Sequence, residues 1–157
     1  MSIDRVRAHI AKYGLEDRIQ LFEESSATVL LAAERLGVEP ARIAKTLSFL
    51  TEDGPVLILT AGDRKIDNPK YKAVFHTKAK MIPRDQVEML IGHEVGGVCP
   101  FGGRTGVKVY LDESLKRFST VFPAAGTPES AIELSIPELE RVSEYDRWID
   151  VCKAMDA

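Results

Sequence analysis

The sequence predicts a single-domain α/β protein of the α+β type, in which short helices surround one mixed central β-sheet. Its 157 residues, 45% of them hydrophobic, are enough to bury one core, so we expect one domain over residues 1–157. Segments typical of strands and of helices follow one another irregularly, without a regular βαβ repeat. No internal repeat, low-complexity tract or interior linker divides the chain.

Helices are predicted where apolar residues recur at helical spacing between capping residues. The segments are 3–13, 29–36, 69–74, 83–91 and 137–142, with one further helical turn over 40–43. Gly14 and Gly37 follow the first two helices and are expected to end them. Pro83 suits the first position of its helix, and Ser135 is a cap candidate for the last one.

Strands are predicted where residues alternate between apolar and polar, or run apolar, between turn residues. The segments are 18–22, 45–50, 56–60, 79–82, 107–111, 120–123, 131–134 and 148–151. The turn sequence over 52–55 precedes 56–60, the strongest candidate for a buried strand. Segments 120–123 and 131–134 are expected to pair with each other, and 148–151 is assigned to strand although its pattern also permits a helix.

The overall composition excludes several classes of protein. No run approaches the roughly 18 apolar residues of a membrane span, and the N-terminus lacks the pattern of an export signal. Two distant cysteines do not form a disulfide framework, so we expect a cytoplasmic protein. The cysteines and three histidines show no metal-ligand spacing, so neither a metal nor another cofactor is predicted.

The net charge of −3 hides an uneven distribution along the chain. Residues 64–84 carry seven basic residues against one acid, a net charge of +6, and residues 129–157 carry three basic residues against eight acids, a net charge of −5. The basic residues are Arg64, Lys65, Lys70, Lys72, Lys78, Lys80 and Arg84. This basic segment is suited to a partner that carries phosphate, or it is simply a solvated surface.

Residues 92–102 form a glycine-rich segment with the sequence GHEVGGVCPFG. Glycine permits close approach of a backbone to a ligand, and Pro100 biases Cys99 towards an extended conformation. The segment therefore suits the presentation of backbone amides to a small ligand, or it is a tight connection without a ligand. Its glycine spacing matches neither of the common nucleotide-binding loops.

Two side chains are candidates for chemistry. Lys45, at a predicted helix-to-strand junction, can bind a phosphate or carbonyl oxygen or act as an amine nucleophile, or its stem can lie along apolar surface with its head in water. Cys99 can act as a nucleophile if a base such as His93 lies beside it, although no cysteine-protease signature surrounds it. His9 and His76 lie in other segments.

Taken together, Lys45, the glycine-rich segment and the later Ile-Glu-Leu at 132–134 resemble the YbaK/EbsC family over about residues 19–139. These are free-standing aminoacyl-tRNA deacylases, similar to the editing domain inserted in bacterial prolyl-tRNA synthetase. The resemblance implies that family's fold, with a partly barrel-like sheet. It also implies hydrolysis of the ester of a mischarged tRNA, such as a proline tRNA that carries cysteine, or a tRNA that carries another small amino acid. A prolyl-tRNA synthetase complex is implied as a further partner. A non-catalytic module that binds aminoacyl-tRNA or a synthetase is the alternative.

The resemblance also implies roles for particular residues. The lysine that is essential in relatives corresponds to Lys45, and the family's Gly-x-x-x-Pro element falls on Gly96 and Pro100. We therefore expect the catalytic residues to be Lys45, Gly96 and Gly97. The expected substrate-binding residues are Val98, Cys99, Pro100, Phe101, Gly102 and Thr28. The expected tRNA-binding residues are Arg64, Lys65, Lys70, Lys72, Lys78 and Lys80.

The chain departs from the family pattern at two positions. Relatives often carry serine or threonine where this chain has Cys99, and some carry aspartate where it has Ala131. The edited amino acid therefore stays open, with cysteine, alanine, serine, threonine and a non-protein amino acid as the options.

Overall fold

A computed structural model describes residues 2–26 and 28–155. The five helices in this part of the chain are α1 (Ser2–Ala11), α2 (Val29–Leu36), α3 (Asn68–Phe75), α4 (Arg84–Ile91) and α5 (Ile136–Ser143). Short 3₁₀ turns lie at Glu16–Arg18, Pro40–Arg42 and Glu113–Arg117. The strands are β1 (Ile19–Leu21), β2 (Ala44–Thr51), β3 (Gly54–Ala61), β4 (Arg64–Ile66), β5 (Lys108–Asp112), β6 (Thr120–Val121), β7 (Ser130–Ile132), β8 (Leu134–Ser135), β9 (Arg147–Ile149) and β10 (Cys152–Ala154).

The central sheet has four strands in the order β2-β3-β5-β9. β2 and β3 form an antiparallel hairpin, whereas β5 and β9 run parallel to β3, so the sheet is mixed as predicted. Three antiparallel pairs, β1–β7, β4–β10 and β6–β8, surround it. Within the described residues the central sheet ends at β2 and β9 without closing, so the partly barrel-like sheet stays a prediction.

The two faces of the hairpin carry different residues because strand side chains alternate. Thr46 lies opposite Leu59, on the face that packs into the main core with α1, α4 and α5. Lys45 lies opposite Thr60, on the other face, where Phe49 packs with Tyr71 of α3. This alternation decides which β2 side chains face which part of the molecule.

Most predicted elements are confirmed, with boundary shifts. Helix α2 has the predicted bounds because Thr28 caps its start and Gly37 adopts a left-handed conformation at its end. Ser135 caps α5 in a reciprocal capping box with Glu138. The segment 148–151 is a strand over Arg147–Ile149.

Three predictions about elements are corrected. Residues 79–82 form no strand, only an isolated bridge at Met81 beside the edge of β2. Pro83 precedes α4 as its cap residue rather than being its first residue. The predicted strand 131–134 is split, since Ser130–Ile132 pairs with β1 and Leu134–Ser135 with β6. No helix in the described residues is long and apolar enough to span a membrane.

Candidate functional site

A cleft of about 340 Å³ opens along the edge of β2 that faces away from β3. Its walls are the start of α2, the start of α4, the glycine-rich segment and residues 122–131. This volume lies at the lower end of the range for small-ligand sites, so the cleft suits a ligand the size of a nucleoside with a small substituent.

The lining of the cleft is small and apolar with a few polar groups. Ala32, Ala44 and Val87 are among the apolar lining residues. The polar side chains are Ser26, Thr28, Lys45, Thr46, Ser48, Arg84 and Ser130. The described lining residues thus include two cations, several hydroxyls and no carboxylate or imidazole, which suits a ligand that carries phosphate or ester oxygens.

Lys45 lies in the wall of the cleft, but its amine points away from the glycine-rich segment. The amine donates a hydrogen bond to the carbonyl oxygen of Arg64 in β4. Burial is the main cause that lowers the pKa of Lys45, and the charge of Asp63 opposes this shift. Lys45 is nonetheless among the residues that line the cleft.

The glycine-rich segment contributes Val95, Gly96 and Val98 to the cleft. Gly96 has a φ of 93°, a conformation that favours glycine. Within the described residues the amide groups of Gly96 and Val98 donate no hydrogen bond. The amide of Gly97 instead donates to the carbonyl oxygen of Glu94 at 3.0 Å.

Gly97 therefore has a packing role in this structure. A β-carbon placed on it would lie 2.5 Å from the backbone of Gly126, far closer than an ordinary contact. The glycine permits two loops to touch and does not itself line the cleft.

The residues from Cys99 to Gly102, which were predicted to bind substrate, are not among the residues that line the cleft. Cys99 and Phe101 are fully buried, and Pro100 is also buried. Gly102 approaches the backbone of Arg5 so closely that a β-carbon would lie 2.7 Å from it. The Sγ atom of Cys99 lies 3.7 Å from Nε2 of His93, as the nucleophile hypothesis expected. Burial, however, raises the pKa of Cys99 to about 12, which favours the protonated thiol at neutral pH, and the role of Cys99 as a nucleophile stays a prediction.

The side chain of His93 links the glycine-rich segment to α1 through hydrogen bonds. Its Nε2 donates to the carbonyl oxygen of Phe101 at 2.7 Å, which leaves Nδ1 to accept a hydrogen bond from the hydroxyl of Ser2. Arg5 in the same helix donates to the carbonyl oxygens of Gly92 and Gly102. Burial lowers the pKa of His93, so the neutral imidazole is the stable form in this setting.

The basic residues predicted to bind tRNA lie on three successive parts of the chain, β4, α3 and the segment that follows α3. Lys70 and Lys72 lie on α3, which covers the face of the sheet opposite the main core, and Lys70 pairs with Asp150 at 3.1 Å. Lys78 and Lys80 are exposed in the segment that leads to the cleft. Arg64 and Lys65 are half-buried in β4. Arg84, which was noted in the basic segment but not among the tRNA-binding residues, lines the cleft itself.

Sequence reasoning missed several lining residues. Thr46, Ser48, Ala124 and Ser130 were not singled out, although alternation along β2 is a signal that places Thr46 and Ser48 on one face. Thr28 was predicted and does line the cleft. No group of three or more potential metal ligands is found in the part of the chain that the structure describes.

Comparison with known proteins identifies the family. A model of the aminoacyl-tRNA editing domain matches residues 23–142, well over half of the chain. The chain belongs to the aminoacyl-tRNA editing domain family. The family that the sequence motifs predicted is thereby confirmed, and every segment that lines the cleft lies within the matched residues.

Relatives and solved structures are similar over different shares of the chain. An uncharacterized protein, YwhH of Bacillus subtilis (strain 168), is 53% identical over 154 residues, 98% of each chain. The proline–tRNA ligase of Lactobacillus gasseri is 29% identical over 79% of this chain, but the match covers only 22% of the ligase. A crystal structure of a protein proposed as a trans-editing enzyme for prolyl-tRNA synthetase superposes with a TM-score of 0.87 and 28% identity, over 98% of both chains.

Proposed function

We propose that this chain is a trans-editing deacylase, which hydrolyses the ester bond between a wrongly attached small amino acid and the 3′ end of a tRNA. The proposed substrate is a tRNA for proline that carries cysteine or another small amino acid. The observation that carries the proposal is that the whole lining of the cleft lies within the match to the editing domain. The similarity to part of a proline–tRNA ligase and to the proposed trans-editing enzyme supports the choice of tRNA.

The size and lining of the cleft support a small aminoacyl group. Alanines at positions 32, 44, 124 and 131 contribute short side chains to a space of about 340 Å³. Each extra methylene changes binding by only about 1–3 kcal/mol, so a synthetase that accepts a small wrong residue needs a second site that removes it. The cleft is proposed to be that second site.

The charges in and near the cleft support binding of the tRNA end. Arg84 lines the cleft, and the exposed Lys78 and Lys80 precede it in the chain. Such cations attract phosphates, with an affinity that falls as salt rises. We propose that Lys45 exchanges the carbonyl oxygen of Arg64 for the terminal phosphate when the substrate binds.

The proposed reaction is attack of water on the ester carbonyl carbon. The bond from that carbon to the 3′ oxygen breaks, the proton lost by the water passes to the 3′ oxygen, and the products are the free amino acid and the tRNA. The unpartnered amides of Gly96 and Val98 are the proposed donors to the negative carbonyl oxygen, and one such donor contributes about 10²–10³-fold in rate. Because no carboxylate or imidazole is among the described lining residues, a group of the substrate itself is the proposed proton acceptor.

The test is release of labelled amino acid from tRNAs mischarged with cysteine, alanine, serine or threonine. The wild-type protein should deacylate at least one of them, and Lys45→Met should lower kcat/KM by about 100-fold or more, as expected when a positioning contact is lost. Lys108→Met, which changes an exposed lysine at the start of β5 away from the cleft, is the matched control and should retain activity. If no tRNA is deacylated, the enzyme proposal fails; if Lys45→Met equals the control, the role of Lys45 fails.

The absence of a side-chain base from the described lining also favours the alternative, a module that binds aminoacyl-tRNA without hydrolysing it. That alternative predicts tight binding of charged tRNA with no release above the uncatalysed rate. The same panel, combined with a binding measurement, separates the two functions.

A further inference from the structure

The edge of β2 has a gap in its hydrogen bonding at Thr46. On one side of this residue, the amide of Ala44 donates to the carbonyl oxygen of Phe122 at 3.1 Å. On the other side, the carbonyl oxygen of Ser48 accepts from Ile82 at 3.1 Å, and the amide of Leu50 donates to Lys80 at 2.8 Å. The even-numbered residues of β2 thus direct their backbone groups away from β3.

Thr46 shares this direction but has no such partner. Its amide and its carbonyl group make no hydrogen bond within residues 2–26 and 28–155, and its side-chain Oγ1 is also buried without a partner among them. Buried polar groups in proteins are nearly always paired, so the unpaired, buried Oγ1, together with the unpaired backbone groups beside it on the wall of a cleft, points to a ligand. Thr46 lines the cleft.

We propose that Thr46 binds the aminoacyl group of the substrate as if that group were a residue of a neighbouring antiparallel strand. An aminoacyl ester contains the same amino nitrogen, α-carbon and carbonyl as one residue of a polypeptide. In an antiparallel pair, two opposed residues exchange both of their backbone hydrogen bonds. The α-amino group of the substrate therefore donates to the carbonyl oxygen of Thr46, and the amide of Thr46 donates to the ester carbonyl oxygen.

This pairing fixes the direction and the handedness of the substrate. The ester oxygen leaves towards Ala44 and Phe122, so the adenosine lies at that end of the cleft and the amino group lies towards Ser48. The side chain of an L-aminoacyl group falls on the same face as that of Thr46, on the side of the main core, whereas that of a D-aminoacyl group points to the face of Lys45. The inference rests on the proposed function, and it deepens that function by adding Thr46 to Gly96 and Val98 as a donor to the ester carbonyl.

Binding of stable analogues tests this pairing separately from catalysis. The ligands are 3′-amino-3′-deoxyadenosine acylated through an amide with L-alanine, with D-alanine or with propionate, and affinity is measured by calorimetry. The propionyl compound, which lacks the amino group, should bind about 10-fold or more weakly than the L-alanyl compound. The D-alanyl compound should bind at least about 3-fold more weakly.

A variant removes the amide of Thr46. Thr46→Pro deletes this N–H, and proline is tolerated at an edge strand where the N–H faces outward, so the hairpin with β3 should persist. Affinity for the L-alanyl compound should fall by about 5-fold or more. Glu52→Pro, in the turn of the same hairpin and outside the cleft, is the matched control and should bind like the wild type, with circular dichroism confirming that both variants fold.

The outcomes separate this inference from the proposed function. Equal affinity for the L-alanyl and propionyl compounds, or no binding of either, overturns the pairing even if mischarged tRNA is hydrolysed. The expected order of affinities without hydrolysis of any tRNA supports the pairing and rejects the deacylase. Because the ligand series uses only the wild-type protein, the result does not depend on the folding of Thr46→Pro.

Discussion

Gly97 packs against the backbone at Gly126, and replacing it with alanine should disturb both the fold and the cleft. The added methyl carbon would lie 2.5 Å from three backbone atoms of Gly126 and Thr127. Ordinary contacts of this kind begin near 3.4 Å, so the two loops must separate by almost 1 Å. Backbone atoms cannot rotate away as a side chain can, and overpacking of this kind costs about 1–3 kcal/mol.

The expected result is a lower melting temperature and a lower rate. For a domain of this size, each kcal/mol corresponds to about 2–4 °C in Tm. Since Gly96 and Val98 flank Gly97 and line the cleft, a shift near 1 Å should also lower deacylation by about 100-fold. Both quantities are measured on purified Gly97→Ala, by thermal unfolding and by release of labelled amino acid.

Gly106→Ala is the matched control. Gly106 has a positive φ of 92°, but nothing lies within 4 Å of an added β-carbon, so this variant reports backbone strain without a collision. It should lose some stability and keep its activity. If Gly97→Ala is as active as Gly106→Ala, the glycine-rich segment does not position the reacting groups and the reasoning is refuted.

Two further predictions concern buried side chains of the glycine-rich segment. Because the pKa of His93 is lowered in the folded state, the unfolded chain binds more protons than the folded chain below pH 6.5. The free energy of unfolding should therefore decrease as the pH is lowered through this range, by up to about 1.4 kcal/mol per pH unit. Urea unfolding at pH 7.5 and pH 5 should show this loss in the wild type and a smaller one in His93→Gln; equal losses would contradict the assignment. Cys99→Ala should retain deacylation within about 3-fold, and the native protein should resist thiol alkylation at neutral pH. The reason is that the Cys99 thiol is fully buried and its pKa is raised to about 12. Rapid inactivation by an alkylating reagent would contradict this prediction.

Local signals in the sequence were sufficient for most elements. Thr28 and Gly37 determine the ends of α2 through a side-chain cap and a left-handed residue, both of which depend only on neighbouring residues. The strand predicted at residues 79–82 was wrong. The spacing of its apolar residues resembles that of a strand, but the segment forms only an isolated bridge at the edge of β2. Pairing depends on distant segments, which is also why β7 joined β1 instead of β6.

The site was predicted only in part, for a physical reason. The glycine-rich segment was located from its composition, but composition does not separate Gly96, which lines the cleft, from Gly97, which packs on another loop. Cys99 resembled a candidate nucleophile because the sequence does not reveal its burial. Thr46 was overlooked because its proposed role depends on unpaired backbone groups, which cannot be read from the type of a residue.

The central claim is that the cleft along β2 binds the aminoacyl end of a tRNA. The most direct measurement is a titration of the isotopically labelled protein with 3′-(L-alanylamido)-3′-deoxyadenosine, followed by NMR of the backbone amides. The account predicts saturable shifts that are largest at Thr46, Gly96 and Val98, with little change in α3. Shifts centred instead on Arg5 and Arg104, which line a separate cleft, or no saturable shifts at all, would contradict it.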